Sequence, residues 1–79
     1  MNYEYRQGRL CVEGVDLAQV AAQCGTPTYV YSAGMIRERY RAYEAALEGM
    51  PHKVCYAVKA NSNLAVLALL AKEGAGFDI

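Results

Sequence analysis

The feature that most constrains this chain is the run Val54-Cys55-Tyr56-Ala57-Val58, apolar without a break between Lys53 and Lys59. A run of that length suits a strand covered on both faces, the habit of parallel rather than half-exposed sheets. Parallel strands cannot be joined by a tight turn and need a crossover. The next residues supply one. Ser62 or Asn63 can accept hydrogen bonds from the first-turn amides of a helix running from Leu64 to about Lys72, and Gly74 can end it. Gly76-Phe77-Asp78-Ile79 then begins another extended segment. The order strand, helix, strand predicts an α/β fold with two adjacent parallel strands joined by a right-handed crossover. Because the second strand breaks off at Ile79, the chain reads as the opening piece of an α/β protein.

Upstream, Tyr3 and Tyr5 alternate with Glu4 and Arg6, Gln7-Gly8 offers a turn, and Leu10 and Val12 alternate with Arg9, Cys11 and Glu13, which predicts a hairpin. Asp16 is placed to cap a short helix carrying Leu17, Val20, Ala21 and Cys24, and Gly25 to end it in the left-handed conformation. A brief strand, Thr28 to Tyr31, is expected after Pro27. Ser32 then caps a longer helix to about Glu48, with Ile36, Tyr40, Tyr43 and Leu47 on one apolar face and Gly49, Met50 and Pro51 stopping it.

Composition narrows the function classes. Eight basic side chains balance eight acidic ones with no basic run, which argues against electrostatic binding to nucleic acid or an anionic membrane. The longest strongly apolar stretch, Leu64 to Ala71, is far short of the ~20 residues that cross a bilayer, and the polar N-terminus is unlike a signal peptide, so a cytoplasmic protein is expected. A chain of 79 residues buries only about 60% of its unfolded surface, yet this one is 54% hydrophobic, a content typical of a larger protein. Cys11, Cys24 and Cys55 are odd in number, widely spaced and distant from the single His52, and read as reduced packing residues rather than metal ligands. A reactive thiol at Cys55 is the functional alternative.

The chemical signal is Lys59. In parallel α/β sheets and barrels, ligands gather at the carboxyl ends of the strands, where Lys59 stands. An amine held between an apolar strand and a capped helix loses its proton more readily than one in water, and the neutral amine is the form that attacks an aldehyde. By composition and spacing alone, Lys59 reads as a solvated strand-end lysine, since lysines are common there. Asp78, on the strand after it, can project into the same opening or simply hydrogen-bond at a strand end. Asn61 and Asn63 read as turn and cap residues, and Tyr56 as packing.

The string around Lys59 changes that balance. Residues 56 to 63 read YAVKANSN and continue as LAVLALLAKEGAGFDI, preceded by VEGVDL at 12 to 17 and GTPTYVYS at 25 to 32. Three separated segments in this order closely resemble the N-terminal region of the diaminopimelate decarboxylases, pyridoxal-phosphate enzymes of the alanine-racemase-like barrel group. The resemblance covers nearly the whole chain. It implies the N-terminal piece of a (β/α)₈ TIM-type barrel, residues 32–79, preceded over residues 1–31 by strands and a short helix belonging to a β-sandwich domain. It also implies that Lys59 binds pyridoxal 5′-phosphate covalently, with Asp78 close to the cofactor. The implied enzyme is a cytoplasmic homodimer that acts on a small amino-acid substrate, converting meso-2,6-diaminopimelate to L-lysine and CO₂ in lysine biosynthesis.

The same resemblance places the phosphate loop, the acidic partner of the ring nitrogen and the catalytic cysteine of the other subunit after Ile79, so residues 1–79 alone are expected to be inactive. Two alternatives stay open: a related arginine, ornithine or carboxynorspermidine decarboxylase, or a non-catalytic pyridoxal-phosphate-binding barrel protein. Alanine racemases follow their lysine with a tyrosine-glycine-histidine-rich turn, whereas Ala60-Asn61-Ser62-Asn63 follows it here.

Overall fold

A computed structural model describes residues 3–79, and by the packing of its backbone the chain divides into two units, Met1–Met35 and Ile36–Ile79. In the first unit β1, Tyr3–Arg6, pairs antiparallel with β2, Arg9–Val12, in a register that sets Tyr3 opposite Val12 and Arg6 opposite Arg9. Gln7 (φ 52°) and Gly8 (φ 77°) form the connection, and two residues at positive φ are what a twisted two-residue hairpin turn requires. The expected hairpin is present.

A further strand was not expected. Glu13 (φ 52°) and Gly14 (φ 79°) repeat the same turn and return the chain as β3, Val15–Asp16, with Cys11 opposite Asp16 and Val12 opposite Val15. β2 is thereby the middle strand, and its Cys11 and Val12 are the buried apolar residues of this unit.

α1, Leu17–Cys24, follows directly. Asp16 Oδ1 accepts from the Ala18 amide at 2.9 Å and Oδ2 from Arg9 Nη1 at 2.8 Å. These bonds, the amide first, hold the Asp16 carboxyl below the usual carboxylate range. Gly25 ends the helix at positive φ (82°), but with an extended ψ of 175° instead of the left-handed helical geometry expected. Cys24, expected on the packed face of α1, is exposed. Thr28 to Tyr31 form no strand: the β-prone side chains there have no neighbouring strand to pair with among the described residues, and Tyr29 and Tyr31 stack on each other instead, ring centroids 6.4 Å apart.

α2, Ala33–Ala46, begins as expected behind Ser32, whose Oγ accepts from the Met35 amide at 3.1 Å. The Ser32 hydroxyl donates in turn to Glu13 Oε2, which also accepts from the Gly34 amide at 3.1 Å. A carboxylate aimed at the first turn of a helix suits the positive end of its dipole.

In the second unit, α2 ends in a turn with Gly49 at φ 91°. Its apolar face is less covered than the periodicity suggested, since Tyr43 is exposed and no α2 residue is fully buried. β4, Cys55–Ala57, and β5, Gly76–Asp78, are parallel, with Cys55 opposite Gly76, Tyr56 opposite Phe77 and Ala57 opposite Asp78. α3, Leu64–Glu73, joins them, so the predicted strand, helix, strand unit is present. Asn63 Oδ1 caps α3 through the Ala65 amide at 2.9 Å; Gly74, at φ 103° and ψ 9°, closes it in the left-handed conformation. Val66 and Leu70, one turn apart on α3, are its buried residues. Arg41 of α2 holds Glu73 of α3 by two bonds of 2.7 and 3.0 Å, which depress the Glu73 carboxyl below its usual range.

β4 is shorter than expected and is not covered on both faces. The ladder ends where β5 ends, at Ala57 opposite Asp78, and among the described residues β5 is its one neighbour. Cys55, expected to be packed away, is exposed. No helix among the described residues is long and apolar enough to cross a membrane.

Candidate functional site

The two parallel strands end on the same side, and their last paired residues, Ala57 and Asp78, stand opposite each other. Val58 has no strand partner beyond that point, and the chain tightens into a 3₁₀ turn, Val58–Ala60, with Lys59 at its centre. Lys59 therefore lies two residues past the end of the strand, within the turn. Ala57, Val58, Lys59, Asp78 and Ile79 line a concavity of about 410 Å³, inside the roughly 300–1,000 Å³ typical of small-molecule sites. The two residues singled out by the sequence are brought to one opening, an amine from the turn after β4 and a carboxylate from the end of β5.

The neighbouring polar residues serve the backbone. Asn61 leaves the 3₁₀ turn in an extended conformation, φ −165° and ψ 112°, and its Oδ1 accepts from the Asn63 amide at 3.0 Å. With Asn63 capping α3, both asparagines have the turn and cap roles expected of them. Cys55 does not line the concavity. It lies against Gly76, where a β-carbon would meet Cys55 Sγ at 2.9 Å and Lys53 Cε at 2.6 Å, so a larger residue there has to displace those two side chains.

Tyr56 does more than the packing expected of it. Its ring meets Phe77 edge to face, centroids 6.5 Å apart and planes at 89°, and its hydroxyl donates to the Asn61 carbonyl at 3.0 Å. The signal was available: a tyrosine in an otherwise apolar run carries a phenol that needs a partner once part-buried.

The donor set fits pyridoxal 5′-phosphate. A primary amine adds to an aldehyde, the Lys59 amine makes no hydrogen bond or ion pair among the described residues, and the concavity around it has room for a small ligand.

Comparison with known proteins gives the family. The family model described as the pyridoxal-dependent decarboxylase, pyridoxal binding domain, matches residues 33–79. A diaminopimelate decarboxylase of Pseudomonas aeruginosa is 61% identical over 77 residues, 98% of this chain and 19% of that protein. One from Vibrio cholerae is 50% identical over 78 residues, 99% of this chain and 18% of that protein. Among solved structures, the crystal structure of AQ1208 from Aquifex aeolicus matches with a TM-score of 0.85 at 47% identity, covering 98% of this chain and 19% of that one. The chain thus spans about a fifth of the length of the relatives it matches.

Proposed function

The chain belongs to the pyridoxal-dependent decarboxylases, through their pyridoxal-binding domain, and from that premise we propose that Lys59 is the residue that holds pyridoxal 5′-phosphate in a diaminopimelate decarboxylase. The observation that carries the reading is the single concavity shared by Lys59 and Asp78 at the carboxyl ends of two parallel strands. The full-length enzyme takes meso-2,6-diaminopimelate, releases CO₂ and leaves L-lysine. When bound, the cofactor supplies an electron-accepting ring that takes up the pair left by the departing carboxylate carbon.

This chain's own residues do the holding. Lys59 would hold the group through Nζ, since a neutral amine condenses with an aldehyde with loss of water, and the same Nζ, as a free amine beside the site, would be placed to exchange with the substrate's amine. Asp78 gives the same concavity a hydrogen-bond acceptor and a negative charge. Ala57 and Val58 supply apolar wall, which keeps water from part of the amine's surroundings. Around this site the reading takes residues 32–79 as the start of a (β/α)₈ barrel and residues 1–31 as a contribution to a β-sandwich domain, in a cytoplasmic homodimer. The parallel β4-α3-β5 unit and the separate antiparallel sheet support that division.

The test is substrate release. Purified full-length protein supplied with pyridoxal phosphate is expected to liberate CO₂ from meso-diaminopimelate and form lysine. Equal or faster release from arginine or ornithine would move the reading to a neighbouring decarboxylase, and binding of cofactor without release from any of them to a non-catalytic carrier.

A further inference from the structure

We infer that Tyr56 is a positioning residue for Lys59, acting through the main chain from the opposite face of the sheet; the inference rests on the reading of Lys59 as the cofactor-holding residue. Side chains alternate along a strand, so Tyr56 points away from the face shared by Cys55 and Ala57, and Ala57 lines the concavity whereas Tyr56 does not. The tyrosine therefore works without touching the ligand space.

The turn that carries Lys59 is weakly held by itself. It is one 3₁₀ turn, a geometry with poorer hydrogen bonds than an α-helix, and no side chain caps its start at Ala57. It is fixed from its two ends instead. Before it, Ala57 is locked into the ladder opposite Asp78. After it, Asn61 is held twice, its side chain by the Asn63 amide and its carbonyl by the Tyr56 hydroxyl. The phenol thus ties the residue after the turn back to the strand before it, across Ala57 to Ala60. Its own anchor is the edge-to-face contact with Phe77, the residue next to Asp78 on β5. Both sides of the concavity are consequently set by the Tyr56–Phe77 pair on the reverse face of the sheet.

A tyrosine that only packs and one that tethers differ in what phenylalanine does. Tyr56→Phe keeps the ring against Phe77 and removes the tether, whereas Tyr56→Leu removes both. In the full-length protein, Tyr56→Phe is expected to weaken pyridoxal phosphate binding about three- to tenfold, the size of one neutral hydrogen bond, and to shift the pH midpoint of the bound cofactor's visible absorbance. Tyr56→Leu is expected to lower thermal stability as well. If Tyr56→Phe matches the wild type in affinity and in the absorbance titration while Tyr56→Leu alone is impaired, Tyr56 is packing and the inference is wrong. Borohydride reduction that fixes cofactor on a lysine other than Lys59 overturns the underlying reading and the inference with it; fixation on Lys59 with unchanged Tyr56→Phe behaviour overturns the inference alone.

Discussion

The two units solve the same problem, ending a strand and starting a helix, in opposite ways. In the first, β3 runs into α1 without a spacer, and Asp16, the last strand residue, is itself the cap of the helix. In the second, six residues intervene between Ala57 and Leu64, and they form the 3₁₀ turn with Lys59 and the double asparagine cap. A direct junction leaves no backbone free to present a side chain; an interposed turn does. The amine and carboxylate share one opening where the junction is long and the strands are parallel, because parallel strands bring their carboxyl ends to one edge. The antiparallel sheet of the first unit alternates its strand ends and has no such edge.

The sharpest way to break the comparison is at Gly76. If the second unit depends on the close pairing of β4 and β5, Gly76→Ala should cost about 1 kcal/mol in the full-length protein, since its β-carbon would sit 2.9 Å from Cys55 Sγ, which must turn away, and 2.6 Å from Lys53 Cε, the end of a flexible side chain that can swing aside. Denaturant unfolding measures this, and adding Cys55→Ala should return part of the loss. A cost below about 0.5 kcal/mol, within ordinary surface variation, would mean that the crossing is loose.

In the first unit the matching test is Ser32→Ala, which removes the bond to the Met35 amide and one of the partners of Glu13; about 1 kcal/mol is expected, with faster amide exchange at Gly34 and Met35. An unchanged exchange rate there would show that Glu13 alone secures the helix start.

The smallest expected effect is a pH asymmetry. Asp16 in the first unit and Glu73 in the second both have lowered carboxyl pKa values, so each contributes stability above its ordinary value, 3.8 or 4.5, that is lost as pH falls through the lowered one. Only the second unit adds a histidine. His52 Nδ1 bonds the Met50 carbonyl and Nε2 faces Glu44 Oε1 at 3.2 Å; two acceptors favour the ring with both nitrogens protonated, and its pKa is raised. A raised pKa gives stability that is complete below 6.5 and lost as pH rises through the raised value. Amide exchange near the end of α2 should quicken over that window in the wild type and not in His52→Gln, while the first unit shows no such step.

The second unit was the more legible in sequence, for physical reasons. Its strand, cap and stop residues act locally: an apolar run between lysines, Asn63 ahead of Leu64, and Gly74 after the last turn each do one thing. The first unit turns on less specific signals. β3 was missed because its turn places Glu13, a residue seldom found at positive φ, beside Gly14, and what holds Glu13 there includes Ser32, distant in sequence. The strand expected at Thr28 to Tyr31 fails because β-propensity records how a side chain packs on neighbours, and none is paired with it. Cys55 fails for a related reason: burial on both faces needs helices or a second sheet packed above and below the strand, and Cys55 is left exposed among the described residues. At the site, Lys59 and Asp78 were legible as residues, whereas the Tyr56 tether needed the fold to bring the phenol to Asn61.

The central claim is that the turn after β4 exists to present Lys59 to an aldehyde, and chemical trapping tests it most directly. Full-length protein loaded with pyridoxal phosphate, reduced with borohydride, digested and mapped by mass spectrometry should carry the cofactor's mass on the peptide containing YAVKAN, at Lys59, and Lys59→Ala should abolish that label along with on the order of 10³-fold of the turnover. Label on Lys53 or Lys72 in the wild type, or label and turnover that persist in Lys59→Ala, would contradict the account.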